Sequence, residues 1–325
     1  VGYSKFHAAT HRINAYLSSD TPNDKLELQP IFYSKLEHWQ EICDKSSSDF
    51  SKLGDNMVNG TGGTQIHRAQ EGALVITVFE ADGLRWLDFG DGGVQSAIDP
   101  TDASRLVLPL NQAMLAGLLF VPTPQRVLLL GTGGGGIARL FAQHKSVHRK
   151  QAHREPVCQG DAIEQSPSVA HIARQFFDFP EPDTGWTLHI GDAQEYVACT
   201  DRQYDFIVLD IAEDQHLPQW ISAPKFLGHC RQRLTDTGVL VVNLIPQDAE
   251  DFARMLEPIR QTFPHCTACL SVPTQHNILV FGFRESPDVS DVDSHVPTLT
   301  QQWNLPFAEF LQRMRNENPI GSGIF

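Results

Sequence analysis

No stretch of this chain approaches the roughly 18 uninterrupted apolar residues of a membrane span, and no basic patch followed by an apolar core marks a secretory leader. Basic residues are also in deficit: 25 Lys and Arg stand against 39 Asp and Glu, a formal charge of −14. That balance excludes the broad positive surface that sequence-independent nucleic-acid binding requires, and it suits a small cationic ligand. The six cysteines are scattered without the spacing of a disulfide framework, which points to a reducing compartment. One C-x-x-C, Cys266 and Cys269, falls in a predicted strand with no second pair, and it reads as structural. No internal repeat is visible. The expectation is a soluble cytoplasmic protein that uses neither membrane nor nucleic acid as a partner.

What the chain does have is an apolar run that breaks into glycines, VLLLGTGGGG at residues 127–136. It predicts a buried parallel strand over 126–130, a tight turn, and a helix over 137–143. Gly131, Gly133 and Gly136 fall on a G-x-G-x-x-G spacing, which lets backbone N–H groups approach a nucleotide or nucleoside at the positive end of a helix. From residue 125 onward, predicted strands (127–130, 161–164, 187–190, 205–210, 238–245) alternate with helices, notably 168–177 and 225–234. That alternation implies a doubly wound α/β sheet. Residues 266–272 and 277–283 are two strands joined by a turn too short for a parallel crossover, so the sheet should end in an antiparallel hairpin.

Ahead of the sheet, residues 73–98 read as an antiparallel meander with two D-G turns, followed by a helix over 104–120. The expected organisation is an N-terminal extension (1–70, helical near 5–17 and 31–43, with a linker over 45–63), a small β unit (71–103), a catalytic domain (104–285), and a tail (286–325). The tail reads as an acidic linker with a short helix near 307–314.

Acids sit at the predicted strand ends. Glu164 ends the second strand, where a carboxylate accepts hydrogen bonds from ribose hydroxyls. Asp192 follows the third; it can accept from an adenine amino group or cap the helix over 194–199, or do both. Asp210 ends the fourth, with Glu213 and Asp214 close behind, and ligands of open α/β sheets bind outside those strand ends. Three acids within five residues can hold an ammonium group or deprotonate an amine. His144, His148 and His153 lie in a basic stretch without a matching acid or cysteine pair, so no metal is expected.

Taken together, residues 75–285 resemble the spermidine synthase family, a branch of the class I S-adenosylmethionine-dependent methyltransferase fold. The family's GGGDGG looks like GTGGGG here. Its E-I-D-x-x-V segment is similar to Glu164 through Val169, and its GDG or GDA to Gly191–Asp192–Ala193. Its aspartate-ended strand and F-Y-x-x-C-x-x-x-L resemble FIVLD and Phe226 through Leu234. The resemblance implies a Rossmann-like, seven-stranded methyltransferase sheet and an adenosyl-sulfonium cofactor, either S-adenosylmethionine or its decarboxylated form. It implies that Gly131 to Gly136 line the methionine and ribose portion, that Glu164 holds the ribose and Asp192 the adenine, and that Gln95 and Gln112 lie near the sulfonium. Asp210 would be the catalytic acid that accepts the proton of the attacking amine. A homodimer is compatible with this reading.

The departures are specific. The tyrosine and acid that seat the polyamine become Asn111 and Ala113, and the proline after the catalytic loop is lost. The glycine-loop aspartate is Gly134, so a repulsion of roughly 4 kcal/mol against the carboxylate of intact S-adenosylmethionine is absent. On sequence alone, methyl transfer to a small amine is therefore preferred, with aminopropyl transfer as the alternative and a non-catalytic binding or scaffold relative as the second alternative.

Overall fold

A computed structural model describes residues 63–148, 158–211, 218–273, 275–318 and 320–325. The helical patches and linker expected before residue 63 lie outside the described residues, as do His153, Glu213 and Asp214.

Four antiparallel strands come first, in the order β1 (Thr64–Glu71), β2 (Leu74–Ala81), β3 (Leu84–Asp88), β4 (Ser96–Ile98). The three strands expected from the D-G turns are thus joined by a further one at the outer edge. Ile76, Val78, Leu87 and Ile98 pack this sheet against Val169, Ile172 and Phe177.

The main sheet is seven-stranded, ordered β10-β11-β9-β8-β5-β6-β7. Its strands are β5 (Arg126–Leu130), β6 (Gln159–Glu164), β7 (Trp186–Ile190), β8 (Tyr204–Leu209), β9 (Leu234–Leu244), β10 (Thr267–Ser271) and β11 (Ile278–Phe283). β5 through β9 pair in parallel, while β11 runs antiparallel to both β9 and β10. The terminal hairpin expected from the short turn is present.

Side chains alternate along the strands: Val127 and Leu129 face one layer of helices, Leu128 and Leu130 the other. The near-continuous apolar run of β5 reflects burial on both faces. The helices are α1 (Pro109–Met114), α2 (Gly136–His148), α3 (Pro167–Phe176), α4 (Ala193–Cys199), α5 (Pro224–Arg233), α6 (Ala249–Thr262), α7 (Val292–Trp303) and α8 (Phe307–Glu317).

Two expectations are corrected. The single helix over 104–120 is instead α1 followed by a 3-10 turn, Leu115–Leu119. Pro109 has no N–H to give to a preceding turn, so the helix can only begin there. The tail's short helix near 307–314 is present as α8, but the stretch expected as linker ahead of it holds a second helix, α7, which packs Val292, Leu299 and Trp303 into the core. No helix among the described residues is long and apolar enough to cross a membrane.

Candidate active site

The order of the parallel strands reverses beside β5, with β6 on one side and β8 on the other. Chain crossovers leave opposite faces at such a point and open a crevice at the strand ends. Gly131 sits in it. Its N–H donates to the Ile163 carbonyl at 3.1 Å, its φ is +85°, and a Cβ built there would lie 2.1 Å from the Asp210 carbonyl oxygen. Only glycine permits this approach. The turn then closes from Gly135 N–H to the Thr132 carbonyl and enters α2. Gly136, by contrast, has room for a side chain, its nearest neighbour being Leu106 at 3.4 Å from the ideal Cβ.

Glu164 ends β6 beside this turn. Its Oε2 accepts from Thr132 N–H at 3.3 Å and its Oε1 from Ser166 N–H at 3.0 Å. Burial pushes the carboxyl upward, opposed by those amides and by those of Gly133 and Gln165. The carbonyl of Glu164 also receives Gly191 N–H at 2.9 Å, which brings the end of β7 alongside. Asp192 is the N-cap of α4, with Oδ1 accepting from Glu195 N–H at 2.9 Å. Asp192 also lines an open groove of about 470 Å³, together with Ile163, Ile190, Glu195 and Tyr196.

Asp210 follows β8, and its N–H donates to the Leu130 carbonyl at 2.9 Å. Burial raises its carboxyl above the ordinary carboxylate value, and a hydrogen bond from Asn243 works in the opposite direction. Asn243 is 4% exposed near the end of β9, and its Nδ2 donates to Asp210 Oδ1 at 2.9 Å. Asn277, at the end of the hairpin turn, donates from Nδ2 to Asn243 Oδ1 at 2.9 Å. Neither asparagine is visible in the sequence as a functional residue, since their meeting depends on the pairing of β9 with β11.

The glutamines implied by resemblance are occupied. Gln112 donates to the Leu106 carbonyl at 2.7 Å. The exposed Gln95 side chain turns to Asp91 at 3.5 Å, and its backbone borders the turn at Gly133. The residue after it does more. Ser96 Oγ accepts from Gly134 N–H at 2.8 Å, and a Cβ on Gly134 would lie 2.9 Å from Ser96 Cβ and from the Phe177 ring. The meander therefore fills the space that a side chain at position 134 would enter. Arg139, 2% exposed, secures the same region by donating to the Ala103 and Phe177 carbonyls at 2.8 and 2.7 Å, and burial pushes its guanidinium down to about 10. The structure thus gathers Gly131, Gly133, Glu164, Asp192 and Asp210 at neighbouring strand ends. Among the described residues no group of three His, Cys, Asp or Glu side chains could hold a metal ion.

Comparison with known proteins places this arrangement in context. The family profile described as spermine/spermidine synthase domain matches residues 111–293. A polyamine aminopropyltransferase of Chromobacterium violaceum is 26% identical over 262 residues, covering 80% of this chain and 96% of that protein. The human eEF1A lysine and N-terminal methyltransferase is 28% identical over 182 residues, covering 50% of this chain and 24% of that protein. A probable spermidine synthase from Corynebacterium glutamicum has a similar fold, with a TM-score of 0.60 at 20% identity over 73% of this chain and 86% of that one.

Proposed function

The chain belongs to the spermine/spermidine synthase family, whose profile spans more than half of it, and on that premise we propose that it is an aminopropyltransferase acting on a small amine with decarboxylated S-adenosylmethionine. The observation that carries this reading is Asp210, a carboxylate held at the reversal point of the sheet, against the glycine turn, with one oxygen fixed by Asn243. The match to the Chromobacterium aminopropyltransferase over nearly its whole length supports the same chemistry, whereas the methyltransferase relative is matched over a quarter of its length. That comparison moves the balance away from the methyl transfer preferred on sequence alone.

The residues fit an adenosyl-sulfonium ligand. Glu164 would accept its ribose hydroxyls, Asp192 its adenine amino group, and the turn from Gly131 to Gly136 would lie under its amino-acid-derived arm. When bound, this group supplies an electrophilic carbon attached to a positively charged sulfur. The chain supplies position and a base. An amine arrives protonated near pH 7 and cannot attack until its lone pair is free. Asp210 attracts the cation and takes the proton as the nitrogen bonds to carbon and the carbon–sulfur bond breaks.

Methyl transfer from intact S-adenosylmethionine is the second reading, and Gly134 favours it. No carboxylate stands at that position to repel the carboxylate of intact S-adenosylmethionine, and Ser96 and Phe177 leave no space for one.

Asp210→Asn tests the role of the base. Turnover should fall by about 100- to 10,000-fold, while calorimetric affinity for the nucleoside ligand stays within about twofold. Unchanged turnover would remove Asp210 from this role.

A further inference from the structure

Asn243 and Asn277 stand outside every motif that the sequence offers, yet they form an unbranched chain of side-chain amides leading to Asp210. Resting on the reading of Asp210 as base, we infer that Asn277 and Asn243 are positioning residues, a two-amide relay that fixes which oxygen of Asp210 meets the amine.

The direction of the relay follows from donor and acceptor chemistry. An ionised carboxylate only accepts, so Asn243 must present Nδ2 to Asp210 Oδ1, at 2.9 Å. Its Oδ1 then faces away and needs a donor, which Asn277 Nδ2 supplies at 2.9 Å. Neither amide can flip without placing two acceptors, or two donors, against each other. Asn243 is buried on β9, directly opposite Leu279 of β11. Asn277 is held by its own carbonyl, which accepts Val272 N–H at 3.0 Å across the turn. The hairpin that closes the sheet thereby sets the rotamer of the carboxylate, leaving Oδ2 for the amine.

Asn243 also favours the ionised form of Asp210, against the burial that disfavours it. Glu164 lies at the end of β6 and His276 in the turn between β10 and β11, while Glu213 and Asp214 lie outside the described residues. Among the described residues Asn243 is the one side chain that hydrogen-bonds the Asp210 carboxylate.

Asn277→Leu tests the relay without touching Asp210. In the full-length protein it should lower kcat by about tenfold, leave calorimetric affinity for methylthioadenosine within about twofold, and raise the Asp210 carboxyl pKa. That pKa is read by ¹³C NMR, with the resonance assigned through Asp210→Asn. The acid limb of the kcat/KM profile should move to higher pH in step, and Asn277→Gln, which keeps the donor, should recover part of both effects. An Asp210 titration unchanged in a folded Asn277→Leu protein would overturn the relay. This result is separate from the fate of Asp210 as base, because the NMR titration needs no turnover. If Asn277→Leu does not fold, Asn243→Leu under the same NMR titration decides, and an unmoved pKa there overturns the relay as well.

Discussion

Gly131 joins the glycine turn to Asp210, since its Cα packs on the backbone of Asp210 while its N–H is tied to β6. Gly131→Ala would add a methyl 2.1 Å from a carbonyl oxygen at a φ of +85°. Strain and overpacking together should cost roughly 2–4 kcal/mol, and the crevice should open. The expected outcome is loss of both nucleoside affinity and turnover, with a lower urea midpoint, whereas Gly136→Ala should leave the unfolding free energy within about 0.5 kcal/mol of wild type. At this scale much of the site was legible. Glu164, Asp192 and Asp210 are acids directly after apolar strands, and strand ends are where an open α/β sheet presents ligands. Asn243 and Asn277 were not legible, because nothing in linear spacing reveals which residues of β9 and β11 will lie opposite each other. Ser96 was hidden for a similar reason: its contact with Gly134 crosses between two sheets.

Among the elements, the closing hairpin was readable from a turn too short for a crossover, but its protection was not. β10 is an edge strand, and an unpaired edge invites pairing with other chains. Here Asn318 imitates a neighbouring strand, with Oδ1 accepting from Cys269 N–H at 2.8 Å and Nδ2 donating to the Cys269 carbonyl at 2.7 Å. Glu317 takes Ser271 N–H and Oγ at 2.7 Å each, and Ile324 N–H reaches the Thr267 carbonyl at 3.1 Å. Asn318→Ala strips two buried backbone groups of their partners and should cost about 2–4 kcal/mol, read as a lower urea midpoint. A midpoint within error of wild type would show that the tail does not seal this edge. Two elements escaped the sequence reading for physical reasons. β1 is polar and largely exposed, so it carries no alternating apolar signal. α7 contains Pro297, and its buried Val292, Leu299 and Trp303 are too sparse to show a stripe.

Among the described residues, the meander packs beside the main sheet and borders the crevice at its strand ends. Glu71 of β1 accepts from Ser166 Oγ and Ser168 N–H at 2.8 and 3.0 Å, at the head of α3. Ser96 of β4 holds the glycine turn, and Arg139 ties the exit of the meander to the end of α3. The net charge of −14 gives the molecule a negative field that draws cations toward it. The choice between aminopropyl and methyl transfer remains the point on which the functional reading turns, and it is a matter of products. The protein should be incubated with a diamine and either decarboxylated or intact S-adenosylmethionine, and both nucleoside and amine products identified by mass spectrometry. The expected result is methylthioadenosine, together with an amine lengthened by an aminopropyl group, from the decarboxylated form alone. S-adenosylhomocysteine and a methylated amine from the intact form, with nothing from the decarboxylated one, would contradict it.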